Sequence, residues 1–427
     1  MQPQLLLYRL LLVGLFLPFS QQAFAIPEVN ILTKKQPNIL FIAVDDLRPT
    51  LGAYGNQKIV SSNIDKLAAE GFVFENAYAS VPTCGASRSS LMTSLLPTKT
   101  RFVKSYATVD KEATGALTIA KHFKNNGYKT ISMGKIMHGP EDIADHWSEK
   151  PWVPEGPNYF NKENLDIIAK HKIKYSYPYE ISEGEESLHK DYKTATYATE
   201  RIAELSKSDK PFFLAVGFTR PHLPFAVPKK YWYMYPEQSI TLPTNYFNPR
   251  NAPRQAIHKN GEMTMYYGVP KDGQLSDDMA LNLIRGYHAS VSFADAQGGR
   301  VLDSLKQNGL TEDTIIVVWG GPGWELGGAR LWDKHPTFKT GLHSPLIFKI
   351  PGQPANVRTT AMTEFIDIFP TLCDLTGLPK PSHLHGDSLV HLFENPLEHQ
   401  DTFAYGRWIS GDAVFTERFA YTEFTNK

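Results

Sequence analysis

The sequence predicts a doubly wound α/β domain, a mostly parallel sheet with helices on both faces. Two observations predict it. Five short apolar runs, Asn38–Val44, Tyr128–Met133, Phe212–Phe218, Thr314–Trp319 and Pro345–Ile350, are each followed by a loop rich in glycine, proline or charge. Such runs read as strands buried on both faces. Between them lie helix-like segments: Ser61–Glu70, stopped by Gly71; Ala116–Asn125, stopped by Gly127; Tyr192–Ser206; and Asp278–Asn308. Strands alternating with helices make a parallel sheet, and in such sheets the chemistry gathers at the carboxyl ends of the strands.

Taken in chain order, residues 1–25 come first. They run through Leu5–Leu7, Arg9 and the apolar stretch Leu10–Phe19 to Ala23-Phe24-Ala25. This reads as a secretory signal peptide cleaved after Ala25, and hence as a secreted or periplasmic protein. The apolar core is shorter than the roughly 20 residues a membrane anchor needs, and no later stretch offers a span, so no membrane partner is expected. The 427 residues carry 44 Lys+Arg and 44 Asp+Glu. A net charge of zero supplies no bulk field for nucleic acid or an anionic membrane, so any anion recognition must be local. A length of 427 residues with 42% hydrophobic content suits one large domain with a smaller appendage.

Asp45-Asp46 follows the first strand directly and puts two carboxylates at the sheet's carboxyl edge. Such a pair is either a turn or cap, or a ligand set for a hard cation. Pro82-Thr83-Cys84-Gly85-Ala86-Ser87-Arg88 then places a cysteine at an expected helix start, with Ser87–Leu96 as the continuing helix. A helix N-terminus favours an anion, and Arg88, one turn on, can pair with it; the plainer alternative is a structural cysteine. Cys373 lies in the apolar helical segment Phe365–Leu375, where a free cysteine acts as a small hydrophobe, so no disulfide to Cys84 is expected even after export. Two stretches without clear period, Asp142–Lys190 and Tyr231–Gly273, read as insertions over the strand ends. Insertions of that length either shape a binding site or pad the surface.

Cys84-Gly85-Ala86-Ser87-Arg88 fits the C-x-[PA]-x-R signature of type I sulfatases, and the chain resembles that family from Pro37-Asn38-Ile39-Leu40 through Gly71–Ala79 to Ile366–Leu372. Gly134-Lys135-Ile136-Met137-His138 has the K-x-x-H spacing of the iduronate-2-sulfatase-like branch. The resemblance implies the alkaline-phosphatase-like version of the doubly wound fold. It also implies that a maturation enzyme oxidises Cys84 to formylglycine, whose hydrate attacks sulfur and later expels sulfate. Arg88 would steady that diol. Lys135, His138, His222 and Lys334 would contact the diol and the sulfate oxygens and neutralise the leaving alkoxide. Asp45, Asp46 and the oxidised Cys84 would hold one divalent cation, Ca²⁺ in preference to Mg²⁺. The implied partner is a sulfated glycan or another sulfate ester. Such cations lower the barrier because displacement at sulfur spreads negative charge over the equatorial and leaving oxygens. Taken singly, each of the four cationic residues has a structural alternative; together they all stand just beyond expected strands. The resemblance divides the chain into a catalytic domain over 36–400 and, over 401–427, the start of a small C-terminal subdomain. Phe415–Lys427 resembles that subdomain's opening strand, with later strands missing and a sheet edge left exposed.

The chain departs from the family pattern at two places. Where the fourth strand normally ends in S-D-H-G-W or S-D-N-G, this chain reads Gly320-Gly321-Pro322-Gly323-Trp324, so neither Gly321 nor Pro322 brings a ligand. Where L-G-E-H-G-x-W-x-K is usual, it reads Leu326-Gly327-Gly328-Ala329-Arg330-Leu331-Trp332-Asp333-Lys334. Three readings follow: a sulfuric-ester hydrolase, a degenerate relative that binds sulfated glycan without turnover, and a phosphodiester or phosphonate hydrolase of the same superfamily. Compensated frameshifts account for both departures. One added G before GAC-CAC writes GGA-CCA, Gly-Pro, and one before GAG-CAC-GG writes GGA-GCA-CGG, Gly-Ala-Arg. Resequencing the locus is expected to show neighbouring insertions and deletions relative to close relatives; Gly-Pro codons in an undisturbed frame would sink the idea.

Overall fold

The computed structural model describes residues 36–398 and 403–425; the expected signal peptide lies outside them. The strands are β1 (Asn38–Val44), β2 (Phe72–Tyr78), β3 (Lys129–Gly134), β4 (Tyr179–Ser182), β5 (Phe212–Phe218), β6 (Phe225–Pro228), β7 (Thr314–Gly320), β8 (Glu325–Leu326), β9 (Trp332–Asp333), β10 (Leu346–Lys349), β11 (Val357–Glu364), β12 (Ala404–Trp408), β13 (Gly411–Phe415) and β14 (Ala420–Phe424). Seven of them form the main sheet in the order β11-β2-β10-β7-β1-β5-β3. Within it β10 alone runs against its neighbours, so the sheet is mixed but mostly parallel.

Alternation along each central strand builds two cores. Leu40, Ile42 and Val44 of β1 enter one, shared with the helices Ser62–Ala69, Lys190–Leu205 and Asp277–Gln307. Ile39, Phe41 and Ala43 enter the other, shared with the helices Cys84–Thr93, Ile119–Asn125 and Ile368–Thr376. Each strand residue thus has an apolar partner on its own side, which is why these runs carry almost no polar residue. Cys373 is fully buried in the second core and, like Cys84, is a free thiol.

All five expected strands are present, within a residue or two at their ends. Two sheet strands, β2 and β11, were not among the apolar runs. Glu75 and Asn76 interrupt β2 and are only half-buried, and β11 is an edge strand whose side chains alternate between core and solvent. Neither gives the continuous apolar signal of a central strand. The stretch 142–190 contains a helix, Lys162–His171, and β4, which pairs in parallel with β6.

Register decides where the loops emerge. Val44 pairs with Phe218 and Gly320, and Gly134 pairs with Gly217. The ends of β1, β3, β5 and β7 therefore lie side by side, and the residues that follow them share one edge.

The small C-terminal sheet begins at Ala404, ahead of the expected Phe415, which instead closes β13. Its order is β12-β13-β14, antiparallel throughout, and among the described residues β14 pairs with β13 alone. The sheet is tied to the main body. Arg407 N donates to Ser80 O at 2.9 Å, and Tyr405 N donates to Glu364 Oε1 at 3.0 Å. Glu364 and Asp367 form a reciprocal cap in which Glu364 N donates to Asp367 Oδ2 at 2.8 Å. Burial, reinforced by each acid's acidic neighbours, pushes Glu364 up to about 8 and Asp367 up to about 7. A carboxyl whose folded value is raised keeps a proton that the unfolded chain has released, so stability falls as pH rises through that window. Urea unfolding of Glu364→Gln and the parent between pH 5 and 9 is expected to show a weaker fall in the variant. Parallel curves would show that Glu364 does not titrate in this range.

Candidate active site

The common strand edge carries the site. After β1 the chain turns sharply, with Asp45 N donating to Phe218 O at 3.0 Å and Asp46 in the left-handed region at φ 57. Tyr287, from the long helix Asp277–Gln307, donates its hydroxyl to Asp46 O at 2.9 Å and accepts from Arg48 N at 2.9 Å. Both carboxylates are thereby carried fully out of solvent. After β2, Cys84 opens the helix Cys84–Thr93 at the expected start, and the helix stops three residues short of the expected Leu96.

Arg88, fully buried one turn into that helix, joins three strand ends. Nη2 meets Asp45 Oδ1 at 2.7 Å, and Nη1 donates to Lys135 O at 2.6 Å and to Ile136 O at 2.7 Å. Its guanidinium also lies 5.3 Å from the centre of the Trp319 ring. Lys135 reaches this position because β5 has a glycine beside it. A Cβ on Gly217 would sit 2.2 Å from the Lys135 carbonyl carbon, a separation no side chain tolerates.

After β5, Asp191 accepts from Thr219 N at 2.7 Å and from Arg220 N at 2.8 Å, and Arg220 Nη1 donates to His222 O at 2.7 Å. His222 Nδ1 lies 2.8 Å from Leu223 O, which leaves Nε2 facing Asp46 Oδ2 at 3.8 Å and Glu262 Oε1 at 3.3 Å. Lys334, directly after β9, is buried with Nζ 2.8 Å from Asp46 Oδ2, 3.1 Å from Asp46 Oδ1, 3.3 Å from Cys84 Sγ and 3.3 Å from Glu262 Oε2.

Charges in this enclosure set one another. Burial works against the Asp45 carboxylate, but Arg88, aided by Lys135, His222 and Lys334, holds it well below the ordinary range. Burial raises Asp46 against the pull of Lys334 and His222. Burial also opposes the Lys334 ammonium, yet Asp46, Cys84, Glu262 and Asp45 keep it charged well above its usual value. The Cys84 thiol is pushed well up by burial and then by Asp45 and Asp46. At neutral pH it is therefore a thiol and a poor nucleophile.

Of the residues expected from sequence, Asp45, Asp46, Cys84, Arg88, His222 and Lys334 thus meet in one buried cluster. Lys135 and His138 flank it. Lys135 Nζ donates to His138 O at 3.1 Å, and the two residues line a cavity of about 60 Å³ with Met137, Asp142 and Trp147. His138 itself is exposed, and the neighbouring Lys135 ammonium disfavours a charge on its ring. Two acids in the site escaped sequence reasoning. Glu262 comes from the insertion Tyr231–Gly273, and Asp333 holds it there by accepting from Glu262 N at 3.0 Å and Met263 N at 3.2 Å. Burial opposes the Glu262 charge, but Lys334 and His222 outweigh it and keep its carboxyl below the usual range. The signal for it was weak: an aperiodic stretch over the strand ends, with no motif around the residue.

Asp45 Oδ2 is buried and has no hydrogen-bond partner, and Asp45, Cys84 and His222 each offer a ligand atom within 4.8 Å of one another. An ionised, unpartnered carboxylate oxygen beside a second buried carboxylate suits a hard divalent cation.

The sulfatase family model matches residues 37–378. The chain belongs to the sulfatase family. It is 31% identical over 383 residues to human iduronate 2-sulfatase, covering 81% of this chain and 70% of that protein. It is 32% identical over 412 residues to a sulfatase of Formosa agariphila, covering 91% and 79%. Two solved structures share the fold. One is BT4656 in complex with its substrate D-glucosamine-2-N,6-O-disulfate, with a TM-score of 0.71, 20% identity and coverage of 92% of this chain and 89% of that one. The other is a phosphonate monoester hydrolase of Agrobacterium radiobacter, with a TM-score of 0.71, 23% identity and coverage of 91% and 87%. Sulfatases generally use a metal and a formylglycine.

Against that family, Gly321 gains a precise meaning in space. Its N–H donates to Val44 O at 2.7 Å, and a Cβ built on it would lie 3.0 Å from Asp45 Oδ1 and 2.8 Å from Asp46 N. A side chain at 321 would enter the carboxylate cluster, and the Asp46 backbone would have to yield by a few tenths of an ångström to admit it. The present set supplies fewer than the 6–8 oxygen ligands that Ca²⁺ takes. Gly321→Asp with Pro322→His is expected to tighten Ca²⁺ binding by at least tenfold, read by calorimetry on the folded chain. Unchanged affinity would show that position 321 does not serve the cation.

Proposed function

We propose that this sulfatase is an exported sulfuric-ester hydrolase that removes sulfate from a sulfated carbohydrate, using formylglycine made from Cys84 and one divalent cation. The observation that carries the reading is the place of Cys84: it opens a helix at the centre of the charged cluster, with Sγ 3.5 Å from Asp46 Oδ1 and 3.3 Å from Lys334 Nζ. Oxidation by a maturation enzyme would turn it into formylglycine, and hydration of that aldehyde would supply an oxygen nucleophile at this position. Asp45, Asp46 and the oxidised residue 84 would hold the cation, calcium in preference to magnesium, and when bound it supplies charge that draws an ester's sulfate oxygens.

The remaining work falls to the chain's own residues. Arg88 keeps Asp45 ionised and fixed, so the cation's ligand is ready without reorganisation. Lys334 and His222 present N–H groups from one side, and Lys135 and His138 from the other. The carbohydrate substrate is supported by relatives whose names specify iduronate 2-sulfate and a 2-O glycosaminoglycan sulfatase. Among the described residues no helix is long and apolar enough to cross a membrane.

Gly321 and Pro322 favour a second reading, a relative that binds sulfated glycan without turnover. Mass spectrometry of the peptide containing Cys84, paired with metal titration and 4-nitrophenyl sulfate and phosphodiester assays, separates the readings. The expected outcome is the lower mass of the aldehyde and faster sulfate than phosphodiester cleavage. Matured, metal-bound protein that turns over no ester would establish the second reading, and faster phosphodiester cleavage would move the chain to phosphorus chemistry.

A further inference from the structure

Glu262 sits where the reading above needs an anion. Its two carboxylate oxygens are divided between the two residues assigned to the sulfate group, Oε1 to His222 Nε2 and Oε2 to Lys334 Nζ, each at 3.3 Å. The placement is built rather than incidental. Asp333, fully buried and at φ 67, fixes the backbone of residues 262 and 263 through its Oδ2. The backbone is thus anchored beside Lys334, while the side chain keeps 15% of its surface in solvent.

Charge counting shows what this arrangement accepts. Asp45, Asp46 and Glu262 face Arg88, Lys135 and Lys334, and a bound divalent cation adds two further positive charges. A sulfate monoester carries one negative charge, so it can replace the Glu262 carboxylate one for one. We infer that Glu262 is a built-in competitor for the substrate's anion: it occupies the anion position in the free protein, and an incoming monoanionic ester must displace its carboxylate from His222 and Lys334. The inference rests on the assignment of those two residues to the sulfate group.

Binding tests it without turnover. In full-length Cys84→Ser protein, the affinity for 4-nitrophenyl sulfate is measured by calorimetry with Glu262, Glu262→Gln and Glu262→Ala. Removing the competitor is expected to tighten binding about tenfold in both variants. Equal or weaker sulfate-ester binding in both variants overturns the inference and makes Glu262 a strut for Lys334. His222→Asn in the same background is the separate control. It is expected to weaken binding, and if it does not, the assignment of His222 to the sulfate group fails, and the competitor role fails with it. Weakened binding in His222→Asn with no gain at position 262 leaves that assignment standing and removes only the competitor.

Discussion

The pair between Arg88 and Asp45 is the interaction on which the site depends. Both groups are withdrawn from water completely, so neither can exist there without the other. Stranding one member of such a pair costs about 3–5 kcal/mol. The same guanidinium also closes two carbonyls after β3, which makes one side chain the joint between the helix of Cys84, the turn after β1 and the loop of Lys135. The register of the sheet brings these elements to one edge; Arg88 fixes them to within hydrogen-bond tolerance. Around that joint the remaining charges are arranged in alternation, Asp46 between Lys334 and His222, and Lys334 between Asp46 and Glu262. No single member is neutralised by one partner, and the cluster responds as a unit.

Much of this was legible in the sequence because the relevant signals are local. A buried parallel strand writes itself as an uninterrupted apolar run, and the residues that follow it land at the carboxyl edge without further information. That logic placed Asp45, Asp46, Lys135, His138 and His222. It failed for β2 and β11, where Glu75 and Asn76 break one run and edge alternation thins the other. It also missed Glu262 and Asp333, because their positions follow from a long insertion folding back over the sheet, a contact between residues about 70 apart in sequence. The helix of Cys84 begins where expected but ends earlier, because Ser94 turns into the left-handed region and no glycine or proline there announces the stop.

The departures at Gly321 and Gly328–Arg330 differ in physical kind. Gly321 borders the carboxylates directly, and its missing side chain removes a group from the cluster itself. Ala329 and Arg330 both take positive φ, and Arg330 lies over the Tyr246 ring, at the rim and away from Cys84. The first departure alters the buried carboxylate cluster; the second alters a loop packed on Tyr246.

The enclosure of Cys84 also imposes an order in time. The residue is 3% exposed, and the segment leading to it is covered when Arg407, from β12, closes on Ser80. β12 lies more than 300 residues downstream, so on a ribosome it emerges long after the cysteine does. Any reagent that is to meet residue 84 must do so before that sheet docks or after it opens. The small C-terminal sheet therefore governs access to a side chain it does not itself touch.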